Sequence, residues 1–230
     1  MKTLLFDFVS LFYPRICQAC GNGLYKGEDV ICTFCMYHLP KTNYHEDEDN
    51  PVIRHFWGKV NIAAASSYYF FNKGQKVQKL IHRLKYKGQK EIGLKLGELY
   101  GHELAKNSVF SSADYIIPVP LHKSRLRTRG YNQSDFIANG LSIAMNIPAE
   151  TNLLFRNKKT ETQTRKNRFS RWQNVSNVFS LAEKANIEGK HVLLVDDVIT
   201  TGSTLVACAE VLLKHKSTKV SVASIAYAYH

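Results

Sequence analysis

Residues Val192 to Thr204 carry the most specific chemistry in this 230-residue chain. They run as an apolar strand, Val192-Leu-Leu-Val195, then two adjacent acids, then hydroxyl residues around one glycine that open a helix. Backbone N–H groups at such a turn suit a phosphate, Gly202 permits close approach of the backbone, and Thr200, Thr201, Ser203 and Thr204 add hydroxyl donors. Asp196 and Asp197 fall at the C-terminal end of the strand, the edge where open α/β sheets bind ligands, and can accept hydrogen bonds from vicinal ribose hydroxyls. Ordinary helix capping needs one residue of this kind, whereas the segment offers six.

A second segment, Ile117 to Gln133, follows a strand and precedes a helix, and carries Lys123, Arg125, Arg127 and Arg129. A diphosphate leaving group develops charge, and Lys or Arg donors aimed at it stabilise the transition state. A basic surface loop that binds nothing is the alternative. From Leu121 to Arg171 there are eleven Lys or Arg against three acids, and the whole chain has a formal charge of +12. A balance of that size favours polyanionic partners without saying which.

Two Cys-x2-Cys knuckles, Cys17/Cys20 and Cys32/Cys35, are separated by eleven residues. Each knuckle can place two thiolates on one tetrahedral ion, so the pair reads as a structural Zn2+ ribbon with no open position for chemistry. Such a site orders a segment with too little core to fold by itself. Two disulfides are the rival reading; the lack of a recognisable secretion signal favours a reducing compartment, hence the cytoplasm. Cys208 reads as a buried free thiol.

The elements that must position these groups follow from periodicity. Residues 1–50 form the cysteine module and an acidic linker ended by Pro51, and residues 51–230 the main domain. Val60 to Phe71 reads as strand; Val77, Leu80, Ile81 and Leu84 keep helical spacing within a helix from Gly74 to Tyr86 with a basic outer face. Helices from Glu91 to about Lys106, Gln133 to Met145 and Ser203 to His215, and strands at Asp114 to Pro118, Leu153 to Phe155, His191 to Val195 and Lys219 to Tyr229, alternate thereafter. Arg156 to Arg171 lacks apolar periodicity and reads as a long loop. Apolar strands separated by helices imply a mostly parallel, Rossmann-like sheet with helices on both faces. No apolar run approaches the ~20 residues of a membrane span.

Val192 to Thr204 resembles the signature of type I phosphoribosyltransferases. That resemblance implies an α/β domain in which the candidate catalytic pair Asp196 and Asp197 holds the ribose 2- and 3-hydroxyls of phosphoribosyl pyrophosphate, while Thr200, Thr201, Gly202, Ser203 and Thr204 cradle its 5-phosphate. The wider set is similar to the ComF family of competence proteins: Pro118-Val-Pro120-Leu-His122, Arg125, Arg129-Gly130-Tyr131-Asn132-Gln133, Gln163-Thr164, Arg171 and Asn174-Val175, in order with the cysteine module. It implies Arg125 and Arg129 at the pyrophosphate, and Gln163, Arg171 and Asn174 in a loop that closes over the ligand. It further implies a part in uptake of single-stranded DNA during natural transformation, beside a DNA-uptake helicase and a DNA-processing protein. Mg2+ is expected with the ligand, because it bridges diphosphate oxygens and keeps several waters. No segment reads as the hood that recognises a nucleobase or amine in established phosphoribosyltransferases, so neither the acceptor nor a catalytic base is identifiable.

A different class of function stays open beside this one: a non-catalytic module that holds single-stranded DNA along the helix from Lys76 to Lys90 and the stretches 122–129 and 158–171. There Tyr86, Tyr131, Phe169 and Trp172 would stack on bases. The paired acids discriminate, since DNA binding alone gains nothing from them.

Overall fold

The computed structural model describes residues 14–72, 75–157, 178–183 and 185–228. In chain order the elements are α1 (Thr33–His38), α2 (Pro51–Arg54), β1 (Ala64–Phe70), α3 (Lys76–Tyr86), α4 (Lys90–Leu104), α5 (Ser108–Ser111), β2 (Tyr115–Pro118), α6 (Lys123–Arg129), α7 (Gln133–Met145), β3 (Leu154–Arg156), β4 (Phe179–Leu181), β5 (His191–Ile199), α8 (Ser203–Leu212) and β6 (Lys219–Tyr227). The central sheet has the order β1-β6-β5-β2 with every pairing parallel, and β3 pairs antiparallel with β4.

β5 shows why the sheet is covered on both faces. Its first five residues are all buried, as an interior parallel strand requires. Leu193 and Val195 enter the core beneath α3, α4 and α7, while Val192 and Leu194 enter the other, with Leu205, Cys208, Ala209 and Leu212 of α8. The expected parallel sheet with helices on both faces is present, and Cys208 is buried.

α3 buries Val77, Leu80, Ile81 and Leu84, the stripe its spacing sets, and Gly88 beyond it takes a φ of +70° that a side chain would resist. α4 and α7 approach so closely that glycine is required at the crossing. A Cβ on Gly97 would lie 2.2 Å from the Ile137 carbonyl oxygen, and one on Gly140 would lie 2.1 Å from that of Leu94. This crossing fixes where α7 begins, and the start of α7 is part of the site below.

The cysteine segment packs onto the same face as α3. Ile31, Cys35 and Leu39 share a core with Val77, Leu80 and Leu84, and Arg83 donates to the backbone oxygen of Gln18 (3.0 Å) and to its side chain (2.6 Å). Further along, Asn50 caps α2 by accepting from Val52 and Ile53, while its amide donates to the carbonyls of Tyr44, Asp47 and Ala65. One side chain thus ties the acidic segment to β1. Among the described residues no helix is long and apolar enough to cross a membrane.

Candidate functional site

β2 and β5 run side by side, with Pro118 opposite Val195, and the Val119 N–H donates to the Val195 carbonyl at 2.8 Å. The segment after β2 therefore leaves the sheet beside the acids of β5, which runs beyond the expected end at Val195 and stays paired with β6 to Ile199. That segment is shorter in loop than its polar sequence suggests, because Lys123 to Arg129 forms α6. His122 caps α6, its Nδ1 accepting from the Ser124 N–H at 3.3 Å and lying 2.7 Å from the Ser124 hydroxyl. This capping role accounts for the one histidine of the segment.

Each member of the run Gly130-Tyr131-Asn132-Gln133 has a distinct job. Gly130 ends α6 in the left-handed conformation, with φ +77°. Tyr131 is buried and its hydroxyl donates to the Leu84 carbonyl, which locks the end of α3 to this turn. Asn132 caps α7 by accepting from the Ser134 N–H, and its amide donates to the Val119 carbonyl at 3.1 Å and to Asp135 at 2.6 Å. Gln133 accepts from Arg129 at 2.8 Å. The consequence of the Asn132 bridge is that Ser134 faces the acid pair, donating to Asp196 Oδ1 at 3.1 Å.

The two acids differ in environment. Asp197 is buried and its Oδ2 lies 3.0 Å from Lys85 Nζ, on the last turn of α3. Asp196 Oδ1 accepts from Ser134 and from the Asp197 N–H at 2.8 Å. Burial, and then the adjacent Asp197, push the Asp196 carboxyl up to about 7, against the opposing pull of that N–H, Lys85 and Ser134. Past the acids, Gly202 takes a φ of +71° as the N-cap of α8 and has no side chain to close the turn. Thr200, Thr201 and Ser203 are exposed. A shallow depression of about 40 Å³, bounded by Asp196 and residues 198–205, lies over the first turn of α8. The N–H groups of a helix's first turn have no partner within the helix, so such a place suits an anion.

Lys85 also lines a cleft of about 460 Å³ with Tyr86, Ser124, Arg125, Thr128 and Arg129, and among the described residues no Asp or Glu lines it. Arg129 lies over the Tyr86 ring, 5.0 Å from its centroid. Along this edge the order is hydroxyl turn, acid pair, Lys85, arginines. Asp196 and residues 200–204 border one depression, Lys85, Arg125 and Arg129 line the cleft, and Lys85 reaches Asp197, whereas Gln163, Arg171 and Asn174 lie outside the described residues. Lys85 and Ser134 were not singled out by sequence reasoning. Lys85 had counted only as part of a basic helix face, and nothing local signals that the chain returns an aspartate to it 112 residues later.

The four cysteine sulfurs Cys17, Cys20, Cys32 and Cys35 lie within 4.8 Å of one another. A tetrahedral ion with metal–sulfur bonds of about 2.3 Å needs sulfur–sulfur edges of about 3.8 Å; Cys20 Sγ and Cys32 Sγ are 3.8 Å apart. Burial raises the Cys17 thiol, but N–H groups of Cys20, Cys32 and Ala19 outweigh it and lower it to about 6, so a thiolate is already favoured there. The donor set fits a closed four-thiolate metal site, and the cysteines are free rather than joined as disulfides.

The fold is that of a type I phosphoribosyltransferase-like domain, and the phosphoribosyl transferase domain family matches residues 136–230, from the first turn of α7 onward. Over nearly its whole length the chain is similar to competence protein F of Haemophilus influenzae, with 38% identity covering 94% of this chain and 99% of that protein. The chain belongs to the ComF family of competence proteins. It is also 34% identical to the DNA utilization protein YhgH of Escherichia coli K12, across 62% of this chain and 63% of that one. Among solved structures, a glutamine phosphoribosylpyrophosphate amidotransferase from B. subtilis is 24% identical, covering 62% of this chain and 30% of that one, with a TM-score of 0.44.

The raised Asp196 carboxyl has a sign that can be tested. An unfolded aspartate titrates near 3.9, so the native state holds this proton more tightly, and the group's contribution falls as pH rises from about 4 to about 7. The slope is at most about 1.4 kcal/mol per pH unit. Asp196→Asn, whose amide oxygen can accept from the same two donors, should therefore gain more stability over wild type at pH 8 than at pH 5 in urea melts. Equal gains at both pH values would refute the assignment.

Proposed function

We propose that the edge at Asp196 and Asp197 binds phosphoribosyl pyrophosphate with Mg2+, as part of the role in DNA uptake for competence that the family's name implies. The single observation that carries this is the order of groups along the edge. A hydroxyl-lined helix N-terminus, a carboxylate pair and a cluster of cations follow one another as the 5-phosphate, ribose hydroxyls and 1-diphosphate do in the ligand. In this reading Thr200 to Thr204 hold the 5-phosphate, Asp196 and Asp197 the ribose, and Arg125 and Arg129 the diphosphate, with Gln163, Arg171 and Asn174 closing over it. Mg2+ would neutralise the diphosphate; the arginines complement it from the opposite side. A phosphoribosyl transfer to an unidentified acceptor follows if a nucleophile reaches C1 of the ribose.

Calorimetric titration of phosphoribosyl pyrophosphate and Mg2+ into wild type and into Asp196→Asn/Asp197→Asn tests the site without knowledge of the acceptor. Binding to wild type that is weakened at least about 10-fold in the folded double variant is expected, since each charged hydrogen-bonding partner contributes about 1.5–3 kcal/mol. Absence of binding to wild type would discard this function for the edge.

We propose further that residues 1–50 form a Zn2+ module and linker preceding the phosphoribosyltransferase-like domain of residues 51–230. Purified protein should hold close to one Zn2+ per chain, and a strong chelator should lower its melting temperature through loss of the cysteine segment, with Cys32→Ser reproducing the effect. Metal-free protein that melts as the holoprotein does would contradict this.

A second reading concerns single-stranded DNA, and one specific surface favours it. Phe34 and Tyr37 of the cysteine segment are exposed, Lys76 lies 5.3 Å from the centroid of Phe34, and α3 leads from there to His82, exposed Tyr86 and Arg129. Cations and exposed rings in series suit a backbone with unpaired bases, with His38 stacked on Phe34 at 4.0 Å extending the series. Tyr131 is no part of such a track, because it is buried, and Phe169 and Trp172 lie outside the described residues. Anisotropy with an oligothymidylate should show affinity that falls steeply with salt and drops roughly 5- to 100-fold in Phe34→Ala or Tyr86→Ala. Unchanged affinity in both variants would remove this surface from consideration. Partnership with a DNA-uptake helicase and a DNA-processing protein in the cytoplasm is proposed on family grounds.

A further inference from the structure

Lys85 is attached to two environments at once. Its ammonium lies 3.0 Å from Asp197 Oδ2, with 22% of its side chain exposed and 6% of that of Asp197. It is also a wall of the cationic cleft, beside Arg125 and Arg129. Breaking a pair this buried by removing its cation would leave an uncompensated carboxylate, so Lys85 is tied to the acid pair and is not a spare surface charge. The backbone around it is fixed from both sides. Leu84 is in the core and its carbonyl accepts from Tyr131, and Gly88 turns the chain immediately afterwards. What remains free to move is the four-carbon stem, which ends in three donors.

The cleft supplies the second partner. Three cations line it and its lining among the described residues contains no carboxylate, so an anion that enters meets donors for charge-assisted hydrogen bonds. A lysine on a flexible stem can exchange a carboxylate for a phosphate oxygen at small cost, because one ion pair replaces another and the Asp197 Oδ2 contact is not a hydrogen bond. The guanidinium of Arg129, held by Gln133 and lying over Tyr86, has less freedom to do so. Removal of Lys85 from Asp197 also frees lone pairs on that carboxylate for incoming hydroxyls. Both halves of the exchange therefore favour a ligand that carries an anion on the cleft side and hydroxyls on the acid side.

We infer that Lys85 is a specificity residue that neutralises Asp197 in the free protein and moves onto the anomeric diphosphate when the ligand binds. The inference rests on the ligand proposed above and adds a residue that selects among ribose phosphates. It follows that a sugar phosphate with the 5-phosphate and hydroxyls but no diphosphate leaves Lys85 on Asp197 and has to compete with it.

The test is calorimetry of full-length, Zn2+-loaded wild type, Lys85→Met and Lys85→Arg with two probes, phosphoribosyl pyrophosphate plus Mg2+ and ribose 5-phosphate. Lys85→Met should bind the diphosphate-bearing probe roughly 10- to 100-fold more weakly, the effect of one charge-assisted hydrogen bond. It should bind ribose 5-phosphate as well as wild type does or better, because the competitor for Asp197 is gone. Lys85→Arg should keep most of the preference for the diphosphate. A merely structural role would weaken both probes together, and that outcome, or an unchanged affinity for phosphoribosyl pyrophosphate, would overturn the inference. Should Lys85→Met fail to fold, Lys85→Gln against Lys85→Arg carries the same comparison. A wild type that binds neither probe would overturn the ligand reading itself, and a wild type that binds both equally would overturn only the role of Lys85.

Discussion

The Val119 N–H donates to the Val195 carbonyl, and with that bond the ladder between β2 and β5 ends, while β5 runs on beside β6 to Ile199. Everything else at the site depends on this register. Because the strands are parallel and Pro118 lies opposite Val195, the segment starting at Val119 and the acids starting at Asp196 lie at one edge although more than seventy residues separate them. A slip of one residue along β5 would send the acid side chains to opposite faces from those they now occupy. Register is held against such a slip by apolar residues that alternate between two cores, so each strand residue has one face on which it is stable.

The same register explains why so much of the local sequence is spent on backbone fixation. Asn132 joins the exit of β2 to the first turn of α7, Tyr131 joins it to the end of α3, and the glycine crossing of α4 and α7 sets how far α7 can stand from the sheet. Three elements are thereby held against the edge, each presenting one polar group: Ser134 from α7, Lys85 from α3 and the acid pair from β5. Buried charges are stable only when they are paired and hydrogen-bonded. The arrangement pairs Asp197 with Lys85 but gives its Oδ2 no hydrogen bond among the described residues, and leaves Asp196 with its carboxyl raised to about 7. A ligand with hydroxyls to donate relieves such a pair, so an edge that is unfavourable by itself is favourable when occupied.

The cysteine segment obeys a different constraint. Its few apolar residues are insufficient for a core of their own, and they are buried because α3 lends it one face and Arg83 holds its backbone. A metal held by the four sulfurs, which the donor set fits, would add the remaining crosslink. α3 is thus shared by both ends of the molecule: its outer residues meet the cysteine segment, its last turn meets the acids, and its exposed cations lie between.

The sequence alone determined what depends on short-range chemistry. The spacing of the cysteine knuckles, the strand-acid-hydroxyl-glycine run of 192–204, the stripe of α3 and the bounds of α7 were all legible, because each is set by residues within a few turns of one another. α6 was not legible, since six polar or basic residues and a single leucine, none of them buried, give no periodicity, and its helix is set by the His122 cap and Gly130 at its two ends. Nor were Lys85 and Ser134 as neighbours of the acids. Those assignments belong to the tertiary structure, because a residue's partner across a parallel sheet is fixed by strand order, register and helix crossing, and none of these is written in the residue's own neighbourhood.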